Sequence, residues 1–494
     1  MNGSPIASRQ DLRRWILIGA LTALVTIVAV YPSLPPGVRN WDNMVKLQVA
    51  ANILRGAGAV LTAPTPDDQQ YVLRGVDGRS YTGYPLGAYI LQVPTLLLAR
   101  RGVVCEGIGP LVLLALLALA LVDWGRRSEA SYAGAVAGAA LVCTGTAFWP
   151  MAAHGYDNVV EALALVLLFR AYSGGGGAGA WFVAGVGTAF AIDVRYGAAV
   201  LVVPAVVLVG AEFAARGWRS AIRGACALGA GALPGLIIDL WWNWKRFGSP
   251  LTFLAGRAGE MQLSVETFSR YHWEGMAGLL FSPGKGFVWY APPMIAVIAL
   301  LRVLWRRVPN AKGEFVAAGA YLVAATFLFG RLTFWHGEWG WGPRYLSAVY
   351  VMAAPLAWWV CDQLASRRAV WKLAGSIALF VAIAIQMAAV VGYPVECQLS
   401  VVHKLAESNQ TVTRPIARPP LPEDNRVLYF EPANAMPVSL IRCMAEDLAN
   451  PEWRGLLLGG LAWASIVPVL SLMYVVVVAI ASRRASTLRA ADKG

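Results

Sequence analysis

Several groups of residues in this chain have the types and spacing for chemistry. Asp42 stands in Asn40-Trp41-Asp42-Asn43 and opens a stretch with apolar residues at 44, 45, 47, 49, 50, 53 and 54. A carboxylate on such a helix can act as a general base, or simply cap the helix, which Asp does well. His154, Asp157 and Glu161 stand at i, i+3 and i+7, so on a helix they share one face. Such a trio suits a hard divalent ion such as Mg or Mn, and Tyr156 stands beside it for contact with a substrate. The plainer reading is a capping Asp157 and a Glu161 paired with an Arg.

Cations make a third group. Arg195 lies in the tight turn Asp193-Val194-Arg195-Tyr196, Lys285 in Ser282-Pro283-Gly284-Lys285-Gly286, Arg331 near the end of an apolar run, and Arg344 after Gly342-Pro343. Each can bind a phosphate, Arg with bidentate geometry, or snorkel to lipid headgroups. The last group is the run from Trp335 through His336, Gly337, Glu338 and Trp339 to Trp341. Its glycines let a substrate approach the backbone, and its flat rings suit the faces of a sugar. An aromatic belt at the membrane surface explains most of the other Trp residues.

The elements that must position these residues are apolar. AVILMFWYC make up 57% of the 494 residues and charged residues only 14%, against roughly a quarter charged in soluble domains. A soluble enzyme, a disordered chain and a nucleic-acid-binding domain are excluded as wholes, and the expected partner is the lipid bilayer. Runs long enough to cross about 30 Å of hydrocarbon fall at 15–34, 104–123, 130–149, 158–173, 178–193, 196–213, 221–242, 286–305, 314–334, 345–362, 370–391 and 455–481. The segment Tyr84–Ala99 is shorter and carries Pro85, Gln92 and Pro94. If it lies on the outer surface, the clusters Arg9/Arg13/Arg14, Arg126/Arg127, Arg216/Arg219/Arg223, Arg302/Arg306/Arg307/Lys312, Arg367/Arg368/Lys372 and Arg483/Arg484/Arg489 all become cytoplasmic. The expectation is therefore an all-α polytopic membrane protein with 12 spans and both termini inside. The first span is too long for a signal peptide and stays as an anchor. Few Lys among the cations, with abundant Ala and Gly, suggests a bacterial genome and hence its cytoplasmic (inner) membrane.

Residues 1–392 form the expected transmembrane domain, with an outer loop at 35–103 that holds a helix over Trp41–Arg55 and a hairpin about Asp77-Gly78. Residues 393–454 form a Pro-rich extracytoplasmic loop, and 455–494 the last span and a cytoplasmic tail. Gly174–Gly177 lacks the context of a phosphate loop. Cys143, Cys226 and Cys361 fall in spans, where Cys acts as a small apolar residue. Cys397 and Cys443 fall in the large loop on the oxidising side, where a disulfide between them is expected; the alternative is two buried thiols.

An acid soon after the first span, a second acid just after the third, an external Tyr-Pro segment and internal Arg clusters together resemble the GT-C superfamily of membrane glycosyltransferases, which includes protein O-mannosyltransferases and aminoarabinose transferases. Gly83-Tyr84-Pro85-Leu86-Gly87, Arg246-Phe247-Gly248-Ser249-Pro250-Leu251, Leu280 through Gly286 and Gly340-Trp341-Gly342-Pro343-Arg344-Tyr345 are similar to phrases in its bacterial members. The resemblance covers most of residues 10–392. It implies a sugar donor on a polyprenyl phosphate, a glycan, lipid or protein acceptor, and transfer on the extracytoplasmic face. It places Asp42 and Asp157 at the two acidic positions, although a lone Asp42 stands where many members carry an acidic pair. Asp42 is then the base, with Arg344, Arg195 and Lys285 at the leaving phosphate and inversion by single displacement. Two other readings are a transporter or flippase of a lipid-linked substrate, and a glycan ligase or polymerase. The large outer loop suits an acceptor-binding lid.

Overall fold

The computed structural model describes residues 9–38, 41–62, 72–175, 177–250, 272–332, 335–337, 340–364, 369–392 and 436–449, with isolated positions beyond these. Apolar runs fold as helices because in hydrocarbon each backbone N–H and C=O must be satisfied within its own segment. The chain begins with α1 (Arg9–Val30) and α2 (Trp41–Leu54), followed by a hairpin of β1 (Val72–Arg74) and β2 (Ser80–Thr82). Two short helices, α3 (Leu86–Ile90) and α4 (Val93–Ala99), come next. Then follow α5 (Ile108–Arg127), α6 (Tyr132–Gly145), α7 (Phe148–Ala153), α8 (Val159–Ser173), α9 (Ala178–Val194), α10 (Val202–Arg216) and α11 (Trp218–Phe247). The remaining described helices are α12 (His272–Phe281), α13 (Pro292–Ala299), α14 (Leu301–Arg307), α15 (Lys312–Phe329), α16 (Ala353–Leu364), α17 (Ala369–Val391) and α18 (Met436–Ala449).

Among the described residues five stretches, Asp11–Ser33, Ile108–Arg127, Tyr196–Arg216, Trp218–Phe247 and Pro309–Phe329, are long and apolar enough to cross a membrane. This all-α architecture fits a multi-pass membrane protein. Several other expected spans are broken. The run at 130–149 divides into α6 and α7, and that at 286–305 divides into α13 and α14 at Leu300. The run at 345–362 begins as a 3-10 helix, Arg344–Met352, before α16. With 5 and 7 residues, α3 and α4 are each too short to cross, as 1.5 Å of rise per residue requires. The loop hairpin forms at its expected turn, where the Arg79 N–H donates to Asp77 Oδ1 at 3.0 Å.

The core is centred on α5, whose Leu114, Leu117, Leu121 and Trp124 recur at helical spacing and are all buried. It packs against α1, α6 and α8. Close approach of α9 to α11 depends on glycine: a Cβ on Gly185 would overlap the Leu228 carbonyl, and one on Gly231 the Phe182 carbonyl. Small residues at such crossings let backbones meet where lipid supplies no hydrophobic drive. Gly185→Ala is expected to force these helices apart and cost about 1–3 kcal/mol. A lowered midpoint in thermal unfolding in detergent checks it; an unchanged midpoint counts against the tight crossing.

Polar groups gather at the two ends of the bundle. At the C-terminal ends of α5 and α8, Asp123 takes Arg126 (2.7 Å), Arg127 (3.0 Å) and Arg170 as partners. A cavity of about 320 Å³ at this end is lined by Ser128, Glu129, Arg307, Asn310, Trp358 and Trp359 among others. The N-terminal ends of the same helices hold a different cluster.

Candidate functional site

Five elements converge there. The turn between α7 and α8 is set by Gly155, whose φ of +76° favours glycine. It presents Asp157 and Asn158, and Glu161 follows in the first turn of α8. Arg195 closes α9, and α15 contributes Tyr321. From above comes α2 with Asn43 and Lys46. Arg344 opens the 3-10 helix after the Gly-rich loop.

The contacts form a ladder of alternating charge. Lys46 Nζ lies 2.9 Å from Asp157 Oδ2. Arg195 reaches Asp157 Oδ1 through a terminal nitrogen (3.2 Å) and Glu161 Oε1 through Nε (3.4 Å). The Tyr321 hydroxyl donates to Glu161 Oε2 at 2.8 Å. Lys46, Asp157 and Glu161 are buried, so each charge depends on its partners rather than on water. Burial pushes the Asp157 carboxyl up, but the Lys46 and Arg195 charges outweigh it and hold the group at about 2. Asp157 is thus ionised at any ordinary pH, and its ion pairs weaken only in strong acid.

Arg344 joins from the other side. Asn158 Nδ2 donates to the Arg344 carbonyl at 2.7 Å, while the Arg344 guanidinium lies 5.7 Å from the Tyr156 ring and 5.4 Å from the Tyr345 ring. Tyr345 also faces the Arg195 guanidinium at 6.0 Å, so one aromatic ring stands between two cations. The buried Lys285 amine donates to the Gly340 carbonyl, tying the Ser282–Gly286 turn to the Gly-rich loop.

The sequence-derived residues thus divide. Asp157, Glu161, Arg195, Tyr156 and Arg344 come together, and Tyr84 joins them through Lys46, whose amine lies 4.7 Å from its ring. Asp42 lies in the first turn of α2, four residues before Lys46 and on the same helix face. His154 is turned elsewhere, with Nε2 3.0 Å from the Ala389 carbonyl. The expected metal trio is therefore not assembled, and among the described residues no group of three His, Cys, Asp or Glu is placed to hold an ion. The Arg331 guanidinium lies 4.7 Å from the exposed Phe327 ring, one turn earlier in the chain.

Within the Trp–Gly run the two described tryptophans, Trp335 and Trp341, are buried. Trp341 is buried edge-on against Tyr290 and donates from Nε1 to Gln386 at 3.1 Å. Trp335 is buried against Gly278. Both rings are packed by protein, so neither offers a face to a sugar. The close approach that glycine permits is used by Arg344, whose side chain passes against Gly337 and Gly340. Glu338 and Trp339 lie outside the described residues, as does most of the 393–454 loop. Cys397 Sγ lies 3.1 Å from the Gly392 carbonyl beyond the end of α17, and Cys443 lies on α18.

Burial, with the charges of Lys285 and Arg344 nearby, holds His336 well below its usual 6.5. A group with a folded pKa below its unfolded one binds protons preferentially when unfolded. Its contribution to stability is then full above pH 6.5 and declines as pH falls below that value. His336→Asn is expected to flatten the fall in stability between about pH 6.5 and 5. Thermal unfolding of both proteins across that range checks this, and parallel profiles would refute it.

Sequence reasoning passed over Lys46, Asn43 and Glu106. The signal for Lys46 was present: it is a lysine on the face of α2 that also carries the buried Val45, Val49 and Ala50. Asn43 Nδ2 donates to Glu106 Oε2 (3.1 Å) and to the Gly155 carbonyl (3.0 Å). Arg246 was quoted only within a phrase, yet it is buried and donates to the Thr82 and Tyr84 carbonyls at 2.8 and 3.3 Å. It docks the segment that carries Tyr84.

Fold and site together define an all-α membrane protein with a buried, charge-balanced polar centre at one end of its bundle. No family model matches the chain, and no curated protein matches it.

Proposed function

We propose that the chain is a membrane glycosyltransferase that moves a sugar from a polyprenyl-phosphate-linked donor to an acceptor hydroxyl. In this reading the bundle has twelve spans with both termini in the cytoplasm of a bacterium, and the ladder of charges faces the extracytoplasmic side of the inner membrane. The observation that supports it best is the polar centre itself, where Lys46, Arg195 and Arg344 gather at one end of the bundle with Asp42 one turn before Lys46 on α2, a setting in which a lipid-borne phosphate would meet fixed positive charge.

Asp42 takes the proton of the acceptor hydroxyl as its oxygen attacks the anomeric carbon. The bond from that carbon to the phosphate oxygen breaks on the opposite face, which inverts the configuration. Charge then grows on the departing phosphate, and Arg344, with Lys285 behind it, stabilises that charge in a site poor in water. Arg195 holds both buried acids, so its role is to shape the site.

The test offers radiolabelled polyprenyl-phosphate sugars to membranes with and without the protein. Protein-dependent transfer that is lost in Asp42→Asn supports the reading. Transfer that is equal with and without the protein, over a full panel of donors, overturns it. A transporter of a lipid-linked substrate is the second reading, favoured by the 3-10 segments that follow Arg195 and include Arg344, since transporters bind substrate at broken helices. Movement of a labelled lipid across reconstituted vesicles without chemical change would favour it.

A further inference from the structure

The proposed base sits on a surface helix, and a surface helix is held only by what its inner face grips. The first turn and a half of α2 packs Val45 against the outer segment and sends Asn43 to Glu106 Oε2 at 3.1 Å, and two of its polar side chains grip the α7–α8 turn. Asn43 donates to the Gly155 carbonyl at 3.0 Å, and Lys46 reaches Asp157 two residues further on at 2.9 Å. The Lys46 amine also lies 4.7 Å from the Tyr84 ring, so it is enclosed between the outer segment and the α7–α8 turn. Burying a lysine on a helix that could have carried an apolar residue there brings little net stability, because desolvation offsets most of the attraction. Fixing a register is the best-attested use of such a pair.

Asp157 is also poorly placed to accept a proton. Oδ2 is taken by Lys46 and Oδ1 by Arg195, and both partners are cations held within the protein. Its action must therefore pass through its neighbours. Asp42 and Lys46 stand at i and i+4, about 5–6 Å apart at Cβ on one face. A shift of Lys46 by half a turn would therefore displace the Asp42 carboxylate with it.

We infer that the Lys46–Asp157 ion pair is a positioning device that fixes the first turns of α2, and with them the Asp42 carboxylate, over the α7–α8 turn. Asp157 is then a positioning residue and not a second base. This deepens the proposed function, and its kinetic arm rests on that reading. The structural arm does not.

The structural arm is hydrogen–deuterium exchange of the α2 backbone in wild type, Lys46→Met, Asp157→Asn and the double variant, with Lys46→Arg as the conservative control. Protection of residues 43–50 is expected to fall in both single variants, no further in the double variant, and to return in Lys46→Arg. In the kinetic arm, kcat is expected to fall about tenfold to a hundredfold in Lys46→Met, the cost of a base displaced by about an ångström. KM and the pH profile stay near wild type, and Lys46→Arg recovers the rate. Unchanged exchange in Lys46→Met overturns the inference even if no donor is ever found. A kcat for Asp157→Asn more than tenfold below that of Lys46→Met, at equal exchange, also overturns it, because Asp157 would then act directly. Failure of every variant and of wild type to transfer sugar counts against the proposed function alone.

Discussion

Asp42→Asn is expected to slow transfer by about 10²–10⁴-fold, the usual contribution of a positioned general base, while the protein still folds. The carboxylate lies in the first turn of α2 and is only partly buried. Its replacement removes a favourable charge at a helix N-terminus, worth about 0.3–1 kcal/mol, and Asn keeps the side chain's size and much of its hydrogen-bonding capacity. The variant should therefore show nearly wild-type thermal unfolding and almost no rate. Initial rates at saturating donor, normalised to folded protein, give the comparison. A variant that keeps more than a tenth of the wild-type rate would remove Asp42 from the chemistry.

Arg195→Met should give the opposite signature, a large loss of stability. The guanidinium bridges two buried acids, with one nitrogen on Asp157 and another on Glu161. Without it Asp157 keeps Lys46, but Glu161 keeps only the Tyr321 hydroxyl. Removing one partner of a buried pair costs about 3–5 kcal/mol, because the other charge is left without compensation. Arg195→Lys should recover only part of this, since a single ammonium cannot reproduce the fork that spans both acids. Adding Glu161→Gln to Arg195→Met should recover much of it, because the stranded charge is then gone. Chemical unfolding in detergent measures all four proteins. If Arg195→Met unfolds at the wild-type midpoint, the ladder carries no stability and the site has been misread.

The contrast between these two variants follows from burial. Asp42 and Asp157 are the same residue type, each close to the end of an apolar run, and in the sequence each reads equally well as a cap or a catalytic acid. In the structure Asp157 is buried between two cations, whereas Asp42 is only half-buried.

Much was legible without coordinates. The composition required helices, since few charges and long apolar runs leave a backbone no other way to satisfy itself in lipid. The α2 helix begins at Trp41, where the pattern of apolar residues places it, and the Asp77-Gly78 turn forms because Asp and Gly suit that geometry. The type and local setting of Arg195, Arg344, Asp157 and Glu161 marked them as candidates. Those properties are set by neighbours within a few residues, and so a linear chain displays them.

Pairing was decided by tertiary structure. Lys46 and Asp157 are 111 residues apart and Asn158 and the Arg344 carbonyl 186 apart, and no periodicity encodes which of several cations meets which acid. Burial decided the rest. Trp335 and Trp341 have the composition of a sugar platform and are packed as core, and His154 has the spacing of a metal ligand and turns to a carbonyl. The sequence by itself determined that this protein is a helical membrane chain with acids and cations at the ends of its apolar runs. Only the fold determined which of those charges neutralise one another, because a buried charge takes its character from the partners that packing brings within about 3 Å.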